Sequence, residues 1–429
     1  MAPPAKTPRL PVGARHATSA LLSVALLAVL AVTPGDAARG GGPTQNELVV
    51  GAILDLADGW TSLGRASRVT LQLAAADANA ALARRGSPLR VRVRVADARG
   101  DPAIARRQLR RLAAAGVRVV VGPQSSSEVA AVRSAAANLG VVVISQGSTA
   151  HSLAFARDNI LRFVPDDIRE GEAVVALLRR ERIDAIVPVW RRDAGNAGLA
   201  RSVRRQFVAA GGKVSGGVPY ATKTTTFAGV VSSISSQATA LRSGGVKRVG
   251  VYLAGFDEVV DLFRAARSDS SLRVPWYGSD GVALTTRLVN DRPAAAFAHA
   301  VGYPNPTVGL PQALVRRARL LLARARKKLG RDPDAFALTA YDALRIVVEA
   351  QQRAGAGGGA SLRRAVVAAA NAHVGVTGRM TLNRAGDRAY GNFDFWSVCP
   401  VRAKFGWVRS FEYAARRAGS GRIVARTRC

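Results

Sequence analysis

Cysteine is almost missing from this chain. Among 429 residues there are two, Cys399 and Cys429, with two methionines and four scattered histidines. No Cys/His cluster forms, so nothing has the ligand spacing of a metal centre, and neither a metal nor a cofactor is expected. Acidic residues are scarce too, 29 against 62 basic ones, for a net charge of +33. An excess of that size raises nucleic acid as a partner. The basic residues are mostly arginine, however, and they are dispersed. "ARRQLRRLAAAG" (Ala105–Gly116) and "RRARLLLARARKK" (Arg316–Lys328) read as amphipathic helices with arginine on the wet face. With no helix-turn-helix, zinc-finger or RNA-binding signature, no nucleic-acid partner is expected.

Long apolar runs are also lacking. The longest conspicuous one, Ser19 to Val32, is shorter than the roughly 20 residues that span a bilayer. Lys6, Arg9, Arg15 and His16 precede it, and small residues suited to cleavage follow near Ala37 and Ala38. This is the pattern of a secretory signal peptide, so an exported, periplasmic or extracellular protein is expected. No cysteine stands near the cleavage site to carry a lipid anchor. In an exported chain the two late cysteines leave two states open: one disulfide pinning the end, or two thiols.

What is present is repetition. "ELVVGAIL" (Glu47–Leu54) reads as a buried strand, and Leu63–Leu82 has helical periodicity. "LRVRVRVAD" (Leu89–Asp97) alternates as a strand. "DPAIARRQLRRLAAAG" opens with an Asp cap and a proline at the first helical position. Further strand–helix pairs follow, and a second series of the same kind starts after Leu161–Val174. The fold class is α/β, with two doubly wound lobes of similar topology and parallel sheets.

Three serines, Ser125 to Ser127, follow the strand-like "VVVG" and open a helix. A nucleophilic serine needs a base within reach. There is no G-x-S-x-G elbow, and His151 has no orienting acid beside it in the sequence. "GPQSSSEV" also lacks the second glycine and the lysine of a P-loop. Taken alone, the serines read best as a helix cap. The next strand ends in "SQGST", placing Ser148 and Thr149 at the equivalent point. Two adjacent strands thus end in hydroxyl pairs at the carboxyl edge of a sheet, where open α/β sheets bind ligands. Hydroxyls and helix N-terminal amides suit a carboxylate. A ligand that is also an amine needs an acid elsewhere, and "WYGSDG" offers Asp280 in the second lobe.

The order of "VVGAILDL", "DARGDPAIA", "VVGPQSSSEVAAV", "VVVISQGSTAHSLA", "NILRFVPDD", "PWYGSDG", "AYDAL" and "TLNRAGDRAYGNFDFW" resembles the periplasmic leucine/isoleucine/valine-binding protein family, the type I periplasmic-binding fold of ABC importers. The resemblance runs from about Glu47 to Val398. It implies that Ser126, Ser127 and Thr149 hold a ligand carboxylate, with the Ser148 carbonyl and Asp280 on its ammonium. It also implies that Phe256 (or Gly255) packs on the ligand and that Trp60 walls the pocket. The family's tyrosine early in the second lobe is replaced by Ala194, with Trp190 as the candidate substitute.

The resulting layout is a signal peptide over 1–38, a linker over 39–46, lobe 1 over 47–165, lobe 2 over 166–303, a return to lobe 1 over 304–376, a return to lobe 2 over 377–398, and a basic tail over 399–429. The expected function is non-enzymatic: closure on a small zwitterion, an amino acid with an apolar side chain, and its delivery by a monomer to an ABC permease. The alternatives are a ligand-sensing receptor or regulator of the same fold, a secreted hydrolase using Ser126 or Ser127, and a polyanion binder.

Overall fold

The computed structural model describes residues 46–57, 60–310, 312–354, 359–415, 417–427 and 429. The expected signal peptide and all but the last residue of the linker lie outside them. Among the described residues no helix is long and apolar enough to cross a membrane.

The chain opens with β1 (Glu47–Leu54), α1 (Thr61–Arg84), β2 (Arg90–Asp97), α2 (Pro102–Ala114), β3 (Val119–Val121), α3 (Ser126–Asn138), β4 (Val142–Ser145) and β5 (Ile160–Pro165). There follow α4 (Asp167–Arg180), β6 (Ala185–Arg191), α5 (Ala194–Ala209), β7 (Lys213–Val214), β8 (Val218–Tyr220), α6 (Ala228–Ser243), β9 (Val249–Ala254), α7 (Val259–Ala266), β10 (Trp276–Tyr277), α8 (Thr286–Asn290) and α9 (Arg292–Ala300). The remainder is β11 (Asn305–Val308), α10 (Gln312–Leu329), α11 (Ala335–Ala354), α12 (Gly359–Ala372), β12 (Val374–Gly375), β13 (Gly378–Arg379), β14 (Asp387–Arg388), β15 (Phe393–Val401), β16 (Lys404–Ala414) and β17 (Arg422–Ala425).

Lobe 1 is a parallel sheet ordered β14-β5-β4-β3-β1-β2. Its inner strands β1, β3 and β4 read as nearly unbroken apolar runs because both faces are covered. Val119, Val121, Val142 and Ile144 point toward α1, α11 and α12, whereas Val120 and Val143 point toward α2 and α3. Lobe 2 repeats the plan with parallel strands ordered β10-β9-β6-β7, with β8 also on β6. Val187, Val189, Val251 and Leu253 bury against α6, α7 and α9, and Ile186, Tyr252 and Ala254 against α4 and α5. Each fully buried Val, Leu or Phe contributes about 1.5–3 kcal/mol.

The returns are placed differently from the sequence reading. β14 pairs with β5, so lobe 1 claims the chain as far as Arg388, beyond residue 376. A buried pair fixes this: Arg162 donates to both oxygens of Asp387 at 2.6 Å. The 399–429 segment is not a loose tail. β15, β16 and β17 form an antiparallel sheet with β11, and Cys399 and Cys429 are joined in a disulfide with Cα atoms 5.3 Å apart.

Candidate functional site

In each sheet the strand order reverses at one point. In lobe 1 this lies between β1 and β3, and in lobe 2 between β6 and β9. Loops leaving the carboxyl ends of such strands frame a crevice. Trp60 follows β1, the serines follow β3, Asp193 follows β6, and Phe256 follows β9. The two crevices face each other.

On the lobe 1 side, β3 ends at Gly122, whose φ is +91°. A Cβ there would lie 2.0 Å from the Ile53 carbonyl oxygen, so only glycine lets the loop pass this close to β1. Ser125 is the N-cap of α3: its hydroxyl accepts from the Glu128 amide, and the Glu128 carboxylate accepts from the Ser125 amide. Ser126 and Ser127 are left for other partners. The Ser126 hydroxyl lies 3.0 Å from that of Ser148 and accepts from the Ala150 amide at 3.2 Å. The Ser148 amide in turn donates to Ser145 Oγ at 3.0 Å. The two hydroxyl loops therefore lock together. Arg162 also donates to the Ala150 carbonyl at 2.5 Å, which ties this loop to the Asp387 pair.

Lobe 2 meets these groups directly. The Ala194 amide, at the start of α5, donates to Ser127 Oγ at 3.4 Å. The Asp167 amide donates to the Thr149 carbonyl at 2.8 Å. Gly198 lies so close that a Cβ would stand 2.0 Å from Asp167 Oδ2. Asp280 is buried, and its amide donates to Glu170 Oε1 at 3.2 Å. Burial pushes the Asp280 carboxyl up to about 7, against hydrogen bonds from Glu170 and the Gly281 amide that favour ionisation, while nearby Asp193 raises it further. Asp167 and Glu170 are also held well above the usual range, first by burial and then by their acidic neighbours; a Thr149 hydrogen bond opposes this at Asp167.

Trp60 is not a loop ornament. Its ring stacks on Phe256 of lobe 2 at 4.4 Å between centroids, 29° from parallel. Its Nε1 donates to the Gly281 carbonyl at 3.0 Å. Arg191 lies over the other ring, 4.9 Å from the Phe256 centroid. Trp190, the candidate substitute, instead packs on Gly217 and under Arg204. His151 does have an acid, Asp166 at 2.6 Å, contrary to the sequence reading. The Ser126 hydroxyl, however, is engaged by Ser148 and Ala150, so no serine–histidine bond forms there.

Residues 47–397 match the profile of a family described as periplasmic binding protein. The chain belongs to that periplasmic binding protein family. An uncharacterized protein of Methanocaldococcus jannaschii is 25% identical over 376 residues, covering 83% of this chain and 88% of that one. The isoleucine complex of the branched-chain amino acid transporter substrate-binding protein LivJ from Streptococcus pneumoniae superposes with a TM-score of 0.69 at 20% identity, covering 85% of this chain and 99% of the other. A solute-binding protein of an ABC transporter from Rhodopseudomonas palustris, in complex with 3,4-dihydroxybenzoic acid, gives 0.67 at 14% identity, with 87% and 99% covered. The fold is the one these proteins share, two-lobed and α/β.

For this periplasmic binding protein, sequence reasoning missed two groups beside the site. Asp167 and Glu170 open α4 in "PDDIREGEA", which reads as an ordinary acidic first turn. Their full burial is what sets them apart, and burial of that kind is set by α5 and the Asp280 loop rather than by local sequence. Gln124 and Gln146, one on each hydroxyl loop, are likewise buried with unpartnered amide atoms.

Proposed function

We propose that this exported periplasmic binding protein closes on an amino acid and presents it, as a monomer, to an ABC permease. One observation carries the reading. Lobe 1 hydroxyl loops carrying Ser126, Ser127, Ser148 and Thr149 meet lobe 2 at the Ala194 and Asp167 amides, and Asp167 also feels the charge of the buried Asp280. The hydroxyls suit a carboxylate, with helix amides nearby. A buried carboxyl is stabilised in its charged form by an ammonium. Phe256 and Trp60 close over the apolar part of the ligand. Each end of such a ligand engages a different lobe, so its binding energy favours the closed state. An aromatic acid supplies nothing to neutralise Asp280 and is the less suited occupant.

Thermal-shift screening of the 20 amino acids, with benzoate beside them, tests this. At a hundred times its Kd a ligand adds about 2.7 kcal/mol of stability, which raises the melting temperature clearly. Asp280→Ala is expected to abolish the shift. If benzoate alone stabilises the protein, the amino-acid reading fails; if Asp280→Ala binds normally, the ammonium assignment fails. Stimulation of a permease ATPase by the liganded protein tests delivery.

A further inference from the structure

The loop that carries Asp280 contains a strained turn. It runs from Ser279 to Thr285, between β10 and α8, and every residue in it is buried. Leu284 adopts a φ of +65°, in the left-handed region that a bulky side chain rarely occupies. Such a conformation costs free energy and persists only where its surroundings hold it. Two indoles reach this loop, one on each side of Leu284. Trp60 Nε1 donates to the Gly281 carbonyl at 3.0 Å, ahead of the strained residue. Trp407 Nε1 donates to the Thr285 carbonyl at 2.8 Å, directly after it. The first bond crosses from lobe 1 and forms on closure. The second comes from lobe 2 itself, so opening of the lobes does not break it.

Trp407 stands on β16, the second strand of a hairpin whose first strand is β15. The periplasmic binding protein match stops at residue 397, so β16 and β17 lie past the segment that the family profile describes. The hairpin is nevertheless built into lobe 2. Trp407 is opposite Val398, and with Phe405 it packs on the core that holds Val282, Leu288 and Phe297. His299 Nδ1, on α9, lies 3.2 Å from the Val398 carbonyl oxygen. Arg409, farther along β16, pairs with Asp394 of β15. The indole is thus held by strand pairing, by an ion pair and by core packing. It meets the loop as a fixed donor rather than as a side chain that must be ordered to reach it.

We propose that Trp407 is a positioning residue for the Asp280 loop. Its bond at Thr285 keeps Leu284 in the left-handed turn, and that turn sets where Asp280 and the Gly281 carbonyl stand. With the bond made, the Gly281 carbonyl is in place for Trp60, and the Asp280 amide for Glu170, before the lobes meet. Without it, Leu284 relaxes toward the ordinary helical region. Closure must then rebuild the loop first, which lowers affinity. Only the assignment of Asp280 to an amino-acid ligand rests on the function proposed above; the link from Trp407 to the loop does not.

Trp407→Phe keeps a ring on the lobe 2 core and removes the N–H donor, which tests the proposal. In the ligand-free full chain, hydrogen–deuterium exchange over residues 279–288 is expected to quicken about 2- to 12-fold, the worth of one hydrogen bond. Isothermal titration with the tightest binder among the 20 amino acids is expected to show affinity weakened by a similar factor. Phe405→Leu is the control. It trims packing in the same hairpin and removes no bond to the loop, so exchange over 279–288 and affinity are expected to stay as they were. Should Trp407→Phe fail to fold, a tryptophan analogue with sulfur in place of the ring N–H, placed at position 407 alone, carries the same expectation. Unchanged exchange over 279–288, or equal acceleration in Phe405→Leu, would overturn the proposal. Faster exchange with unchanged affinity would overturn its link to binding. If none of the amino acids binds the unmodified protein, the amino-acid reading fails, while the exchange experiment still decides the role of Trp407.

Discussion

Replacing Trp60 with alanine removes two of the contacts through which lobe 1 grips lobe 2. The indole has three partners, and they do not count equally. Its edge contact with Phe336, at 5.6 Å, lies within lobe 1 and survives opening. The stack on Phe256 and the bond to the Gly281 carbonyl exist only when the lobes meet. A stacked aromatic pair contributes about 0.5–1.5 kcal/mol, and a buried neutral hydrogen bond about the same. Closure therefore loses about 1–3 kcal/mol, which weakens ligand affinity about 5- to 150-fold through the open–closed equilibrium. The assay is titration of the tightest-binding amino acid, with small-angle scattering to follow the open fraction. Phe256→Ala alone is expected to lose part of the same energy. The double variant is expected to lose less than the sum, with a coupling of about 0.5–1.5 kcal/mol. Affinity within twofold of the unmodified protein, with no coupling, would refute the latch.

Other consequences can be measured on the same protein. Because burial holds Asp280 up at about 7, affinity for a cationic ligand is expected to weaken as pH falls through 7, about tenfold per unit; a flat profile from pH 5 to 8 would sink this. The sign for the ligand-free protein is opposite: between about 4 and 7 the native state holds the proton that the unfolded chain has lost, so stability falls as pH rises. Asp387→Ala strands a buried guanidinium and is expected to cost about 3–5 kcal/mol in denaturant unfolding, with ligand affinity weakened through Ala150. Cys429→Ser opens a closed loop whose ends are 30 residues apart, worth about 3–4 kcal/mol, and is expected to speed hydrogen exchange in β17. Unchanged exchange there would show that the strand pairing alone suffices.

The lobes were legible in the sequence because parallel strands covered on both faces must be apolar throughout, and Val119–Val121 and Val142–Ser145 could be little else. The meeting of the two hydroxyl loops was legible for a related reason. Ser126 and Ser148 stand at the ends of neighbouring strands, and strand ends are fixed by position rather than by side-chain detail. β16 and β17 were not legible. Much of β16 is only half-buried, and its charged residues are paired across the sheet, Arg409 with Asp394 on β15 and Glu412 with Arg426 just after β17, so apolar alternation is weak where ion pairs do the packing. Asp167 and Glu170 were hidden differently. Their residue types fit a common helix start, and only three-dimensional neighbours made them unusual.

The Arg162–Asp387 bond also sets an order of assembly. Its partners are separated by 225 positions, with α4 to α9 of lobe 2 between them. Lobe 2's first series, from α4 to α9, lies within that interval and carries its own parallel sheet, so it can condense while lobe 1 still has an open edge at β5. Until β14 docks, Arg162 lacks its counter-charge, and its bond to the Ala150 carbonyl, which also accepts from the Leu153 amide, is not held in place. The loop carrying Ser148 and Thr149 therefore gains this one tie only when β14 docks. A chain halted short of residue 387 would carry most of its helices and a nearly complete sheet, yet leave the loop of Ser148 and Thr149 without this tie.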